Sequence, residues 1–238
     1  MIKVRNLRKR FGHKRVLSGL DFQVAKGEIT ALLGPNGSGK TTLLRILSSL
    51  SRPDGGEVYV GGYQLPQEAD WVRERVGFVS HQPLLYGDLT AEENLWFYGR
   101  LYNVSDFRQR TASVLEMVDL QRRGADLVRT FSRGMVQRLA LGRSLLHEPQ
   151  ILLFDEPHTG LDQDSVRMLN DVLLHMSEQG RIVLVTSHDL AQVANLASRF
   201  DVLSRGKIVA SVKEEKIDLD RLLMFYREAV RRRGGERL

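Results

Sequence analysis

The stretch "GPNGSGKTT", residues 34–42, restricts this chain more than any other. It lies between the apolar run "ITALL" and the helix-like "LLRILSSL", and it fits the spacing G-x-x-x-x-G-K-[ST] in the strand–turn–helix setting that the pattern needs. Gly34, Gly37 and Gly39 let successive backbone N–H groups turn inward toward phosphate oxygens. Pro35, Asn36 and Ser38 complete the loop, and the helix behind it adds its positive end. Lys40 supplies a point charge for the β- and γ-phosphates, Thr41 offers a hydroxyl to Mg²⁺, and Thr42 follows in the first helical turn. With glycine near 7% of ordinary usage, a chance match is roughly a one-per-cent event, so a plain glycine turn explains the stretch poorly. A nucleotide with Mg²⁺ is the expected ligand.

That loop sits in an alternating chain. Short apolar, β-rich runs, "EITALLG", "VGFVSH", "ILLFDE" and "RIVLVTSH", alternate with helix-period runs, which predicts a mainly parallel α/β sheet. Glycine turns in "GEVYVGG" and "DVLSRGKIVASV" predict hairpins. Helices are expected at 40–50, 68–74, 91–103, 106–119, 133–147, 163–178 and 189–196. Thr90 with Glu93 forms a capping-box start for the third of these. No strand is evident between about 84 and 148, so this block reads as an α-helical subdomain inserted in the core. The expected layout is therefore a first domain at 1–212, carrying that insertion and an antiparallel β subdomain. A basic amphipathic C-terminal helix and tail follow at 213–238. In the tail Leu219, Leu222, Leu223, Tyr226 and Val230 share a face, for packing on the chain itself or on a partner, and order is expected to end near Gly234 and Gly235.

Other residues gain meaning opposite a phosphate loop. Asp155 ends the apolar strand "ILLFD" and suits the hydration shell of Mg²⁺. Glu156, one step on, points elsewhere and can act as general base on water. Gln82, after "VGFVSH", can coordinate Mg²⁺ or orient water. His188, ending "VLVTSH", can hold the γ-phosphate and the water. His81, His147, His158 and His175 take packing or surface roles by default.

Bulk properties narrow the setting. At 238 residues with 42% hydrophobic and 27% charged side chains, a sizeable core is expected. No apolar run approaches the roughly 20 residues of a bilayer span, and no secretory signal is evident. Cysteine is absent, which removes disulfides, thiol catalysis and cysteine zinc sites. The net charge of +6 is concentrated: residues 1–15 carry seven basic side chains and no acid, and 221–238 carry six arginines. Such ends read as solvated faces first and as membrane-proximal second; no nucleic-acid partner is expected.

Phosphate loop, glutamine after a strand, Ser-x-Gly at a helix start, "DEP", "GLD" and a strand-final histidine occur in one order. Over residues 2 to about 212 that order resembles the ATP-binding subunit of ABC transporters, whose fold is a P-loop NTPase core. The resemblance implies that Phe11 stacks on adenine, with a core phenylalanine as the plain alternative. It implies that "FSRGM", 131–135, is the signature loop, which acts on ATP held by a second subunit: Ser132 donates its hydroxyl and Gly134 its N–H. Phe131, Arg133 and Met135 depart from the usual Leu-Ser-Gly-Gly-Gln form. Arg133 either attracts phosphate or points to solvent. Asp162 in "TGLD" is placed at the dimer seam.

The implied protein is an ATPase. Two chains, a homodimer by expectation, close around two ATP molecules and drive a separate integral membrane permease from the cytoplasmic side of the cell membrane. The segment "PLLYGDLTAEENLWFYGRLY" corresponds to the permease-facing region, although helix spacing puts most of Trp96, Phe97, Tyr98 and Tyr102 in the core. Length and phrasing look most like the haem-exporter ATPase of cytochrome c maturation. Drug and polysaccharide exporters are close behind. A soluble ATPase of translation or DNA repair is the rival from another class.

Overall fold

In the computed structural model, which describes residues 1–80 and 82–231, two strands open the chain: β1 (Ile2–Phe11) and β2 (Lys14–Val24), an antiparallel hairpin. His81 and residues 232–238, with Gly234 and Gly235, lie outside the described residues. Sequence reading found no strand at β1 or β2, and the reason is physical. Ile2, Val4 and Leu7 are buried, but the register shifts between Val4 and Leu7, between Leu7 and Arg8, and between Lys9 and Arg10. Those irregularities break the two-residue alternation on which strand recognition rests.

β3 (Ile29–Leu33) follows, then α1 (Lys40–Leu47), β4 (Gly55–Val60), β5 (Tyr63–Leu65), α2 (Ala69–Arg73) and β6 (Val76–Val79). The first sheet has the order β2-β1-β4-β5 and is antiparallel. Between β6 and the next strand come α3 (Ala91–Leu101), α4 (Phe107–Met117) and α5 (Arg133–Leu145). Then come β7 (Ile151–Asp155), α6 (Gln163–Glu178), β8 (Ile182–Ser187), α7 (Leu190–Ala194), β9 (Arg199–Ser204), β10 (Lys207–Lys213) and α8 (Leu219–Arg231). The second sheet has the order β10-β9-β3-β8-β7-β6, parallel except for β10. This is the fold expected of a P-loop NTPase, with an antiparallel sheet added.

Both faces of the parallel sheet are covered, which explains its unbroken apolar strands. Leu32, Leu153 and Leu184 face α1 and the antiparallel sheet, meeting Leu43, Leu44 and Leu47. Leu33, Phe154 and Val185 face the other way, toward α5, α6 and α7. Burying each such side chain stabilises by about 1.5–3 kcal/mol. α8 rests on α7, β9 and β10, with Leu222 and Ala229 buried, so its apolar face is used within the chain. Leu219 stays exposed.

One expectation fails on α3. None of its aromatic residues is buried: Trp96, Tyr98 and Tyr102 are half-buried and Phe97 is exposed. Ala91, Asn94, Leu95 and Gly99 fill the inner face instead. Gly99 is needed there, because a Cβ would stand 2.9 Å from Phe107 Cβ on α4. The capping box does form, with Thr90 N donating to Glu93 at 2.8 Å and Glu93 N to Thr90 at 3.1 Å.

Candidate active site

The loop after β3 is seated against neighbouring strands by glycine. A Cβ on Gly34 would lie 2.2 Å from the Leu203 carbonyl oxygen, and one on Gly39 would lie 2.8 Å from Leu17 Cδ2. Pro35, Asn36 and Gly37 are exposed, whereas Ser38, Gly39 and Lys40 are buried; Thr41 and Thr42 are half-buried. Lys40 Nζ donates to the Gly34 carbonyl at 2.8 Å and the Pro35 carbonyl at 3.5 Å. It also lies 3.6 Å from Glu156 Oε1.

Two observations fit this loop to a triphosphate. Ser38 Oγ is buried without a hydrogen-bond partner among the described residues. The N-terminus of α1 has no side-chain cap and no acid in its first turn, so its N–H groups suit an anion.

β7 and β8 run parallel, which puts Asp155 beside Thr186. Thr186 Oγ1 donates to Asp155 Oδ1 at 2.8 Å and accepts from Glu156 N at 3.0 Å, tying the Asp155 carboxylate to the Glu156 backbone. Glu156 has a left-handed backbone, φ +53°, which turns its side chain off the strand line. Its Oε2 is 3.1 Å from His188 Nδ1. Lys40, Glu156 and His188 thus meet at the ends of α1, β7 and β8. Sequence reading missed Thr186; its signal was a polar residue at the tip of an otherwise apolar strand, two before His188.

Gln82 is exposed, its carbonyl accepting from Ser80 Oγ at 2.7 Å, and its amide bonds to none of the described residues. Among the described residues no group of three or more His, Asp or Glu side chains forms a metal cage. Mg²⁺ does not need one: it keeps several waters and is held by one or two protein oxygens and the phosphates. Asp155, Thr41 and Gln82 fit that role by chemistry.

Ser132 caps α5, its Oγ accepting from Met135 N at 3.3 Å. Ser132 and Arg133 are exposed, Met135 is half-buried, and Gly134 is buried against α6. A Cβ on Gly134 would meet Ser165 Oγ at 2.9 Å. Asp162 caps α6, accepting from Ser165 N at 2.8 Å. That N–H, then the Ser165 hydroxyl, holds the Asp162 carboxyl below the usual range. Arg133 is exposed, in keeping with the solvent alternative, and its guanidinium lies over Gly160, whose Cβ, if present, would be 2.4 Å from Arg133 Cζ. No hydrogen bond or ion pair among the described residues joins residues 132–135 to the phosphate loop.

Phe11 stands at the tip of β1, 56% exposed, with Lys9 Nζ 5.2 Å from its ring centre, so the core alternative fails. His147 stacks on Tyr102 at 4.0 Å between ring centres and bonds the Val76 carbonyl at 3.2 Å; burial pushes its pKa down to about 4. His158 pairs with Asn170 at 2.8 Å, and burial lowers its pKa too. His175 pairs with Gln179 at 2.8 Å.

Residues 17–159 match the family described as ABC transporter. The chain is 37% identical over 212 residues to the linearmycin resistance ATP-binding protein of Bacillus subtilis, which covers 88% of this chain and 68% of that protein. It is 38% identical over 234 residues to a daunorubicin resistance ATP-binding protein of Streptomyces coeruleorubidus, covering 96% and 74%. With the Nod factor export ATP-binding protein I of Ralstonia nicotianae it shares 36% over 219 residues, covering 91% and 68%. Among solved structures it is similar to an ATP-binding subunit of an ABC transporter, at TM-score 0.87 and 27% identity, covering 96% and 99%. It is also similar to a dimeric ATP-binding cassette in a post-hydrolysis state with ADP and Pi, at TM-score 0.79 and 29% identity, covering 90% and 98%.

Proposed function

This chain belongs to the ABC transporter ATP-binding family, it is an ATPase that uses ATP and Mg²⁺, and from that membership we propose that it powers an exporter of antibiotic- or drug-like compounds. The substrate class rests on relatives named for linearmycin and daunorubicin resistance. The same names, with Nod factor export beside them, withdraw support from the haem reading and from the translation or repair rival. The partners are a second copy of the chain and an integral membrane permease, with the chain peripheral on the cytoplasmic face. No helix of the described residues is long and apolar enough to cross a membrane.

The convergence of Lys40, Glu156 and His188 carries this reading. Lys40 leaves the Gly34 carbonyl and Glu156 for the triphosphate, and that exchange frees the Glu156 carboxylate to face water. Glu156 takes a proton from the attacking water, the new oxygen–phosphorus bond forms on the γ-phosphorus, and the bond to the β-phosphate oxygen breaks. His188 holds Glu156 in line through the 3.1 Å contact. Asp155, Thr41 and Gln82 would hold Mg²⁺, whose charge would offset that of the phosphates. Phe11 stacks on adenine, and Ser132 and Gly134 of the partner close the γ-phosphate from the other side, with Asp162 at the seam.

Glu156→Gln tests the assignment. Loss of a general base lowers turnover about 10²–10⁴-fold, and an ATP-dependent dimer should accumulate in sedimentation. Hydrolysis at the parent rate would remove Glu156 from the mechanism.

A further inference from the structure

Arg133 occupies the third position of the signature loop, where the family's usual form has glycine. Its guanidinium lies flat on Gly160: a Cβ there would sit 2.4 Å from Cζ, 2.6 Å from Nη1 and 2.8 Å from Nε. Gly160 is left-handed, φ +75°, in the connection that runs from Glu156 to Asp162. Two further contacts on the first turns of α5 grip the same stretch. Gly134 packs closely on Ser165 and lies near Asp162, at 2.9 and 3.7 Å for an added Cβ. One turn on from Arg133, Gln137 Nε2 donates to the Pro157 carbonyl at 3.2 Å. Positions 133, 134 and 137 share one helical side, so they act on the 157–165 segment together.

We infer that Arg133 is a positioning residue: it latches the loop that presents Ser132 to the partner's ATP onto the loop that begins at this chain's own Glu156 and ends at Asp162. The inference rests on the two-half-site reading above. Motion of Glu156 or Asp162 on nucleotide binding is then passed to Ser132 within the same chain. Arg133 does this through contact with Gly160, without touching phosphate. A lysine keeps the charge and loses the flat guanidinium, so it cannot replace Arg133.

The test uses the full chain carrying Glu156→Gln, titrated with ATP and followed by sedimentation. Arg133→Gly should raise the half-dimerising ATP concentration about 3- to 10-fold, the scale of one side-chain coupling. Fluorescent-nucleotide binding to the monomer and the Tm should stay at parent values. Arg133→Lys should behave like Arg133→Gly. Gly160→Ala pushes the guanidinium away, so combined with Arg133→Gly it should shift dimerisation by less than the product of the single shifts. Full rescue by lysine, a multiplicative double variant, or an unchanged titration of Arg133→Gly would each overturn the latch alone. A Glu156→Gln parent that stays monomeric would overturn the half-site reading, and the latch with it.

Discussion

The Gly34–Thr42 loop and the Phe131–Met135 loop both stand at helix N-termini, yet one is closed on itself and the other is open. In the first, Lys40 is 6% exposed and its charge is already answered by the Gly34 carbonyl and by Glu156. In the second, Ser132 and Arg133 are exposed and α5 has no acid in its first turn. The closed end can grip a triphosphate in a single chain. The open end has donors that no hydrogen bond or ion pair among the described residues joins to its own chain's phosphate loop. That difference is what a shared site requires: each copy keeps a complete grip and an incomplete lid.

Lys40→Ala should break the closed end hardest. Losing charge-assisted bonds worth about 2.7 kcal/mol would weaken ATP binding about a hundredfold in a nucleotide titration. Parent-like affinity would show that the triphosphate is held elsewhere. Phe11→Ala should come next, lowering ATP affinity by about 1–3 kcal/mol, while affinity for inorganic triphosphate stays level. An equal loss for both ligands would take the ring off adenine. Ser132→Ala should show the opposite signature to Lys40→Ala. Monomer binding stays at the parent value while turnover at dimer-forming concentration falls about tenfold or more, since a hydrogen bond to a charged group contributes about 1.5–3 kcal/mol.

The smallest effect sharpens the contrast through pH. His147 lies two residues beyond α5 and ties that end to β6 through the Val76 carbonyl. Its folded pKa of about 4 is below the ordinary 6.5, so the unfolded chain takes the proton first. The stabilisation is present above about pH 6.5 and fades as pH falls toward about 4, by about 1–3 kcal/mol. Hydrogen exchange at pH 5.5 should open the C-terminal end of α5 earlier than α1. His147→Phe, which keeps the stack on Tyr102, should flatten that pH dependence. Equal protection of both helices at both pH values would end the distinction.

Much of this was legible because the site is written in local chemistry. A glycine loop between strand and helix, an acid pair at an apolar strand tip and a capped helix start each fit within a few neighbouring residues. The hairpin of β1 and β2 was not legible, because its bulges scramble the alternation and its outer face is basic. The aromatic cluster of α3 was misread because helical spacing signals a stripe without saying which side faces the core. Gly99 and Asn94 settle that, and neither has a hydrophobic signature. Thr186 and Gly160 matter only through partners about 30 residues away, at Asp155, or packed across a helix, at Arg133, and spacing alone carries no trace of such pairings.

Glu156 keeps a β-carbon where the backbone favours none, at a penalty of order 1 kcal/mol. Glycine there would relax the turn and remove the carboxylate proposed as the base. Folding and turnover therefore pull this one position in opposite directions. A chain with glycine at 156 should melt at a higher temperature and turn over more slowly than the parent.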